Sequence, residues 1–416
     1  MKLLALAIRN LLRNPRRSII TVLAISVGLA VMILGLSLQY GSYQDMIANG
    51  VSQTAGHVVV QNIEYQADKK PEYTLSNASE IAETIKKASP EATVTQRIFI
   101  PGLIQSPHNP SPASFIGVEP ISERLISPMA DKLIDGEWLT ASPQDIVVGA
   151  GMAKTLNAKI GDKVVVTVQV AEGDPNTAMF RVKGIFKSGG QEMDAFIAFI
   201  HYHAAQDLLK TEEALERPDI VHQIGAHIEN ADDAAVLKSK IELPKKTSDS
   251  LDILTWREAL PDLVGLIDVD KKSNGFIHFI LALIVAIGIL NTMLMSVMER
   301  TRELGVLLAI GMRPRKLSIM VLMEGLVLGV VGALLGLGLG WLFSYPLVHN
   351  GLDMSAQMGE GMEMSGFVVS TIIYGSYNWP MMFTYAAIAV LFSILSALYP
   401  AWRITRLNPV SAMRHH

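Results

Sequence analysis

Four stretches of the chain run without a charged side chain: between Arg17 and Asp45, Lys272 and Glu299, Glu324 and Asp353, and Glu363 and Arg403. Each holds the roughly 20 apolar residues that a helix needs to cross about 30 Å of hydrocarbon. They predict a first transmembrane helix with a stalk at 18–44 and further spans at 273–298, 317–345 and 380–402. The apolar run Ile19–Leu38 is longer than a signal-peptide core and lacks a small-x-small cleavage site, so it reads as a retained anchor. Residues 1–17 follow a helical period. Leu3, Leu4, Ala7, Ile8, Leu11 and Leu12 fall on one face and the bases on the other, with Pro15 ending the segment. That pattern suits an amphipathic helix on a membrane surface and equally one packed on other helices of the protein.

From 45 to 272 the pattern changes to short segments of mixed type. HVVVQNIEY (57–65), FIPGLIQ (99–105) and ASFIGVE (113–119) read as strands, with the proline-rich SPHNPSP (106–112) as a turn. Residues 145–190 read as strand, short helix, turn at Gly161-Asp162, strand, turn at Gly173-Asp174-Pro175 and strand. Residues 79–89, 203–210 and 231–241 have helical spacing, and TWREALPDLVGLI (255–267) reads as a second stalk leading into the second span. Mixed strands and helices with short turns predict an α+β domain whose topology periodicity does not specify. The fold class is therefore a membrane protein of four transmembrane helices plus a large extracytoplasmic α+β domain.

Charge sets the orientation. Segments 1–17 and 403–416 carry only positive side chains, and the loop 299–316 has Arg300, Arg302, Arg313, Arg315 and Lys316 against Glu299 and Glu303. The loop 346–379 has only Asp353, Glu360 and Glu363. Positive flanks stay cytoplasmic, so both termini and 299–316 are expected inside, and 45–272 and 346–379 outside. The net charge of −4 averages regions of opposite sign and predicts no nucleic-acid partner. With no cysteine, the chain has no disulfide framework and no thiolate metal site.

Candidate chemistry is sparse. No GxxxxGK[ST], HExxH or GxSxG motif occurs, so no catalytic residue is nominated. His201 and His203 would share a face on a strand, but no carboxylate nearby completes a metal set, and they read as surface or packing histidines. In the third span Gly325, Gly329, Gly332, Gly336 and Gly340 would line a face that lets another helix approach closely, within the chain or across a dimer. Met354, Met358 and Met362 fall four apart, one stripe if helical. They suit subunit or membrane packing, an acyl-chain contact or, less well, Cu(I). The loop 299–316 carries its own short amphipathic helix, Thr301–Ile310, broken by Gly311 and Pro314. Its charges sit beside an apolar ridge, as in a docking surface or a membrane-edge anchor. Glu324 lies inside the third span, where a carboxylate must pair, with Arg300 or Arg302, or snorkel to the interface.

ERTRELGVLLAIGMRPRKL (299–317) followed by EGLVLGVVGALLGLGLG (324–340) resembles the pattern of FtsX/MacB-type ABC transporter permeases, roughly ERxxEIGxxxAxGxxxxxI before a glycine-rich span. RNLLRNPRRSIITVLAISVG, AKTLNAKIGDKVVV, FRVKGIFKSGGQEMDAFIAF, TWREALPDL and YPAWRITRLNPVSAMR are similar to family segments in the family's order. The external segments are most similar to those of lipoprotein-releasing (Lol-type) permeases, which implies a MacB-like periplasmic core domain. The resemblance implies a non-enzymatic permease subunit in a bacterial inner membrane, binding no cofactor of its own. A separate ATPase with ATP and Mg would drive it, and the permease would pair with a second copy or a paralogue. In that family ATPase closure is relayed along the stalks to move the external domains, and no substrate passes through the bilayer. Glu299, Arg300, Arg302, Glu303, Leu304, Gly305 and Gly311 match the segment that contacts the ATPase.

The implied task is extraction of a lipoprotein or other lipophilic substrate from the outer leaflet. Export with a periplasmic adaptor and outer-membrane channel, or signal relay to a wall hydrolase, are the alternatives. Between the GDKV-like and GIF-like strands the chain has only VTVQVAEGDPNTAMF (166–180), an ordinary hairpin without the hook that recruits a periplasmic lipoprotein carrier. That departure puts carrier recruitment by this chain in doubt.

Overall fold

The computed structural model describes residues 2–54, 56–169, 174–210, 219–243, 250–354, 362–364, 367–369 and 372–406. Its contacts divide the chain into a helical unit (Met1–Tyr43, Asp268–Asp353 and from Ile372 onward) and a sheet unit (Gln44–Ile267 with Met354–Thr371).

In the helical unit, an N-terminal helix (Lys2–Arg13) ends two residues before Pro15, which opens the first long helix, Pro15–Gln53. Proline is tolerated there because the amide it lacks would have no partner at a helix start. The other long helices are Pro261–Glu299, Pro314–Asn350 and Trp379–Thr405. All four are long and apolar enough to cross a membrane. The last is capped by the Asn378 side chain, which accepts the Met381 amide hydrogen.

Most of the stretch expected to carry a methionine stripe lies outside the described residues. Leu352–Asp353 pairs antiparallel with Ile372–Ile373, and Met362–Met364 pairs with Phe367–Val369. Met354 lies outside regular structure, Met362 is in a strand, and Met358 lies outside the described residues. Phe367-Val368-Val369 favours the strand found there.

The sheet unit is built on ten strands: β1 (Val58–Asn62), β2 (Thr93–Gln105), β3 (Pro110–Val118), β4 (Leu133–Gly136), β5 (Asp145–Gly149), β6 (Lys163–Val168), β7 (Asn176–Phe186), β8 (Ile197–His201), β9 (Gln223–His227) and β10 (Leu251–Thr255). Their order is β10-β1-β9-β2-β3-β8-β5-β7-β4, and β6 joins β2 to β7. Among the described residues, only β3–β8 and β5–β7 pair in parallel. Strand β2 makes this possible. One edge pairs with β9 over Thr93–Arg97 and then with β6 over Gly102–Gln105. At the changeover Gly102 lies so close to the next strand that an added Cβ would sit 2.6 Å from the Thr167 carbonyl oxygen. The β6–β7 hairpin is the one anticipated at 166–180. Ile98, Ile100, Ile104, Phe115, Val148 and Val166 are fully buried in the core between this sheet and its helices.

The stalk expected at 255–267 is interrupted. Thr255 and Glu258 form a capping box for a short helix, Trp256–Ala259, and a new helix begins at Pro261. Leu260 precedes proline and so is pushed out of the helical region, to φ −123° and ψ 61°. His201 and His203 do not share a strand either: His201 ends β8, and its Nδ1 accepts the His203 amide hydrogen at the start of the helix Tyr202–Leu209.

Two other histidines of this unit are buried and neutral. His222 Nδ1 accepts the Phe99 amide hydrogen at 3.1 Å and its Nε2 lies 3.0 Å from the Pro71 carbonyl oxygen, so a second ring proton would break the first bond. Burial lowers the His222 pKa to about 4. Burial, then the neighbouring His227, does the same for His57, also to about 4. Unfolded, each takes up a proton near its ordinary value of about 6.5; folded, only near 4. Between those values the unfolded state binds more protons, so stability falls as pH drops from 6.5 towards 4 and levels off below. Urea midpoints of the sheet unit across that window should show this slope, and His222→Gln should reduce it; an unchanged slope would remove the explanation.

Candidate coupling site

The loop between the second and third long helices folds as the helix Thr301–Ala309. It ends on Gly311, whose φ of +99° an L side chain rarely adopts. The Gly311 amide donates to the Leu308 carbonyl and the Met312 amide to the Leu307 carbonyl, a paired closure that satisfies the last free carbonyls. Leu304 is 2 % exposed and packs with Met293, Val297, Leu317 and Met320, joined by the partly buried Leu307, Leu308 and Met312. Gly305 is buried too. Arg302, Val306 and Ile310 face outward, Ile310 with 79 % of its surface exposed. The segment 299–311 therefore has two sides, and Leu304 and Gly305 belong to the inner one.

Charges hold the inner side. Glu324 is 2 % exposed. It does not snorkel: its Oε1 accepts from Arg300 Nη1 at 3.1 Å and from Asn10 Nδ2 at 2.8 Å. Arg300 Nε also lies 3.5 Å from Glu303 Oε2. Glu303 bonds Arg13 at 2.8 Å, and Glu299 bonds Arg17. Asn10, Arg13 and Arg17 were absent from the expected site; Asn10 and Arg13 lie on the N-terminal helix and Arg17 on the next, so no single helical spacing marks all three. Arg17, Asn10, Thr292, Ser296 and Glu324 also line a small cavity of about 20 Å³, into which the unpartnered Arg17 Nη1 is buried. That volume and lining suit a single water.

The glycine face of the third long helix is filled within the chain. A Cβ on Gly325 or Gly329 would come within 2.8 Å of Ala397 or Ser393 on the fourth long helix. On Gly332, Gly336 and Gly340 it would meet Ile25, Leu29 and Ile33 of the first at 2.7–2.9 Å. Ser26 and Ser393 donate to the Gly332 and Gly325 carbonyls at these close approaches. Helix packing inside one chain accounts for all five glycines.

The ion pairs differ in worth. Arg13–Glu303 is exposed (69 % and 45 %) and contributes about 1 kcal/mol or less. Removing one member of a buried pair such as Arg300–Glu324 (15 % and 3 %) costs about 3–5 kcal/mol, because the other charge is stranded. Arg300→Ala should therefore lower the melting temperature of the detergent-solubilised chain by several degrees, and Arg13→Ala should leave it nearly unchanged. Equal shifts would refute this ranking.

Comparison with known proteins gives this geometry a family. The MacB-like periplasmic core domain family matches residues 18–242, and the FtsX-like permease C-terminal family matches residues 275–409. The chain is 24 % identical over 408 residues to the lipoprotein-releasing system transmembrane protein LolC of Xylella fastidiosa (strain 9a5c), covering 96 % of this chain and 94 % of that protein. It is also 24 % identical to the macrolide export ATP-binding/permease protein MacB of Bdellovibrio bacteriovorus, over 98 % of this chain and 60 % of that one. The periplasmic region of MacB from Actinobacillus actinomycetemcomitans is similar to 48 % of this chain and covers 88 % of its own, at 18 % identity and a TM-score of 0.34. The chain belongs to the FtsX/MacB-type ABC transporter permeases, as a membrane protein with a MacB-like periplasmic core domain.

Proposed function

We propose that this permease is driven by a separate ABC ATPase docked on the outward ridge of the helix Thr301–Ala309. In this reading it works beside a second permease subunit to lift a lipoprotein or similarly lipidated substrate from the outer leaflet of a bacterial inner membrane. Both termini and the 299–316 loop then lie in the cytoplasm, as their positive flanks favour. One observation carries the docking: the same short helix is bonded inward through Leu304 and the Arg300–Glu324 pair, while Arg302, Val306 and Ile310 stay free of the chain's own core. A helix loaded on one face and anchored on the other can pass on displacement. These 416 residues hold no phosphate-binding loop, so in this reading the ATP site lies outside them.

The lipidated cargo rests on full-length similarity to LolC. The antiparallel β6–β7 pairing supports the reading that carrier recruitment does not fall to this chain. Met354 and Met362, with Met358 between them in sequence, remain the proposed contacts for the acyl chains, as adaptable thioether surfaces on the outer side.

Burying one isoleucine is worth about 1.5–3 kcal/mol, so Ile310→Asp should weaken ATPase retention by about 10- to 100-fold. Pull-down of the full chain from membranes measures this, with insertion unchanged. Undiminished retention would end the docking assignment. Release of a lipidated reporter from spheroplasts tests the cargo: ATP-dependent release that needs this chain supports it, and release of soluble drugs or peptides alone replaces it with export.

A further inference from the structure

The first long helix runs without a break from Pro15 to Gln53, and its last residues belong to the sheet unit. A helix end leaves four carbonyls without partners, and here one side chain collects the end. Arg97 Nη1 donates to the Ser52 and Thr54 carbonyl oxygens, both at 2.7 Å. The rest of the same guanidinium is fixed by Glu123: Nε donates to Oε2 at 3.1 Å and Nη2 to Oε1 at 2.6 Å. Arg97 sits in β2 with Gln223 of β9 and Val118 of β3 as its neighbours across the sheet, and Glu123 is in the helix Pro120–Ile126. Both side chains are 1 % exposed.

Such a pair is a poor way to gain stability. Removing two charges from water is costly, and well-packed apolar replacements of similar volume are often neutral or stabilising. What the guanidinium supplies instead is geometry. Its planar fork holds a carboxylate with one side and two carbonyls with the other, which neither a lysine nor an apolar side chain can do. Beside it Val51 is fully buried and Ile47 partly so against the same core. Thr54 closes the turn through its amide to the Gly50 carbonyl and its hydroxyl to Val51. Gly56 then passes so close to β9 that an added Cβ would lie 2.6 Å from the Ala226 carbonyl oxygen.

We propose that Arg97, held by Glu123, is the positioning residue that makes the end of the first long helix move as one body with the sheet, so that displacement of that helix reaches the domain. The proposal deepens the reading that ATP-driven motion is delivered along this helix, and it rests on that reading.

The chain has no cysteine, so spin labels can be placed singly at the exposed Ala48, on the helix, and Lys87, on the helix packed against β2. In the full chain with its co-purified ATPase in nanodiscs, Arg97→Met/Glu123→Leu removes both charges together and should keep the melting temperature. The label-to-label distance distribution should broaden about two-fold as the helix end loosens. ATP-dependent release of a fluorescent triacylated lipopeptide should fall about ten-fold, a coupling loss of about 1.4 kcal/mol, with ATP turnover retained. Arg97→Lys keeps a charge for Glu123 but cannot hold both carbonyls, and should shift both readouts the same way; it serves if the double variant fails to fold. An unchanged distribution overturns the proposal, and so does broadening with full release. If the unaltered complex releases no lipopeptide, the functional reading has failed, and the distance distribution alone then decides whether the joint exists.

Discussion

A charge taken out of water needs its counter-charge within reach, and each unit of this permease is organised around one buried pair that meets that demand. In the helical unit it is Glu324 with Arg300; in the sheet unit it is Arg97 with Glu123. Neither pair could be satisfied by a single element. Glu324 on the third long helix requires an arginine from the loop before it and Asn10 from the N-terminal helix. Arg97 requires a carboxylate from a helix 26 residues away and carbonyls 43 and 45 residues away. The cost of an unmet buried charge, several kcal/mol, exceeds anything a single surface contact provides. These pairs therefore fix how the segments that meet there are aligned, within the apolar packing around them.

Between the spans the corresponding constraint is steric. Lipid offers no hydrophobic drive for one apolar helix to prefer another, so close approach and backbone contact do the selecting. The glycine face of the third long helix serves two partners in turn: Gly325 and Gly329 admit the fourth, and Gly332, Gly336 and Gly340 admit the first. The serine hydroxyls that donate to glycine carbonyls at both crossings are possible only because the backbones are this near. The sequence displays such a small-residue face clearly, but it cannot name the helix that will lie on it.

The same limit separates what was legible from what was not. Long uncharged runs announce the spans because the bilayer tolerates little else. The strands read correctly, such as β2, β3, β6 and β7, are bounded by turn residues that act locally. The strands missed are β4, of four residues, and β8, β9 and β10, of five each; IAFIH and QIGAH are buried almost throughout, so they show no alternation of polar and apolar positions. Their partners lie far away in sequence, Val58 facing both Ala226 and Thr255. Arg97 was invisible for a simpler reason: a lone arginine in a strand reads as a solvent-facing residue. The short helix at 301–309 was legible in its pattern, yet the division of its residues between an inner and an outer face, and the contacts of Asn10, Arg13 and Arg17, are visible only in the folded chain.

The unequal strength of the ion pairs gives the helical unit a direction for load. The loop helix touches the N-terminal helix through the exposed Arg13–Glu303 pair and the third long helix through the buried Arg300–Glu324 pair, with Leu304 packed beside it. At about 1 kcal/mol the first contact opens with a penalty of roughly five-fold in population, whereas about 3–5 kcal/mol for the second is a factor of hundreds to thousands. If the proposed ATPase pushes on Val306 and Ile310, the loop helix would turn about its Arg300 end before separating from the third long helix. The weaker bridge would give way first, and the Glu324–Asn10 bond would keep the N-terminal helix in place while it does. Rigid and yielding contacts are thus placed where transmission and release, respectively, would need them.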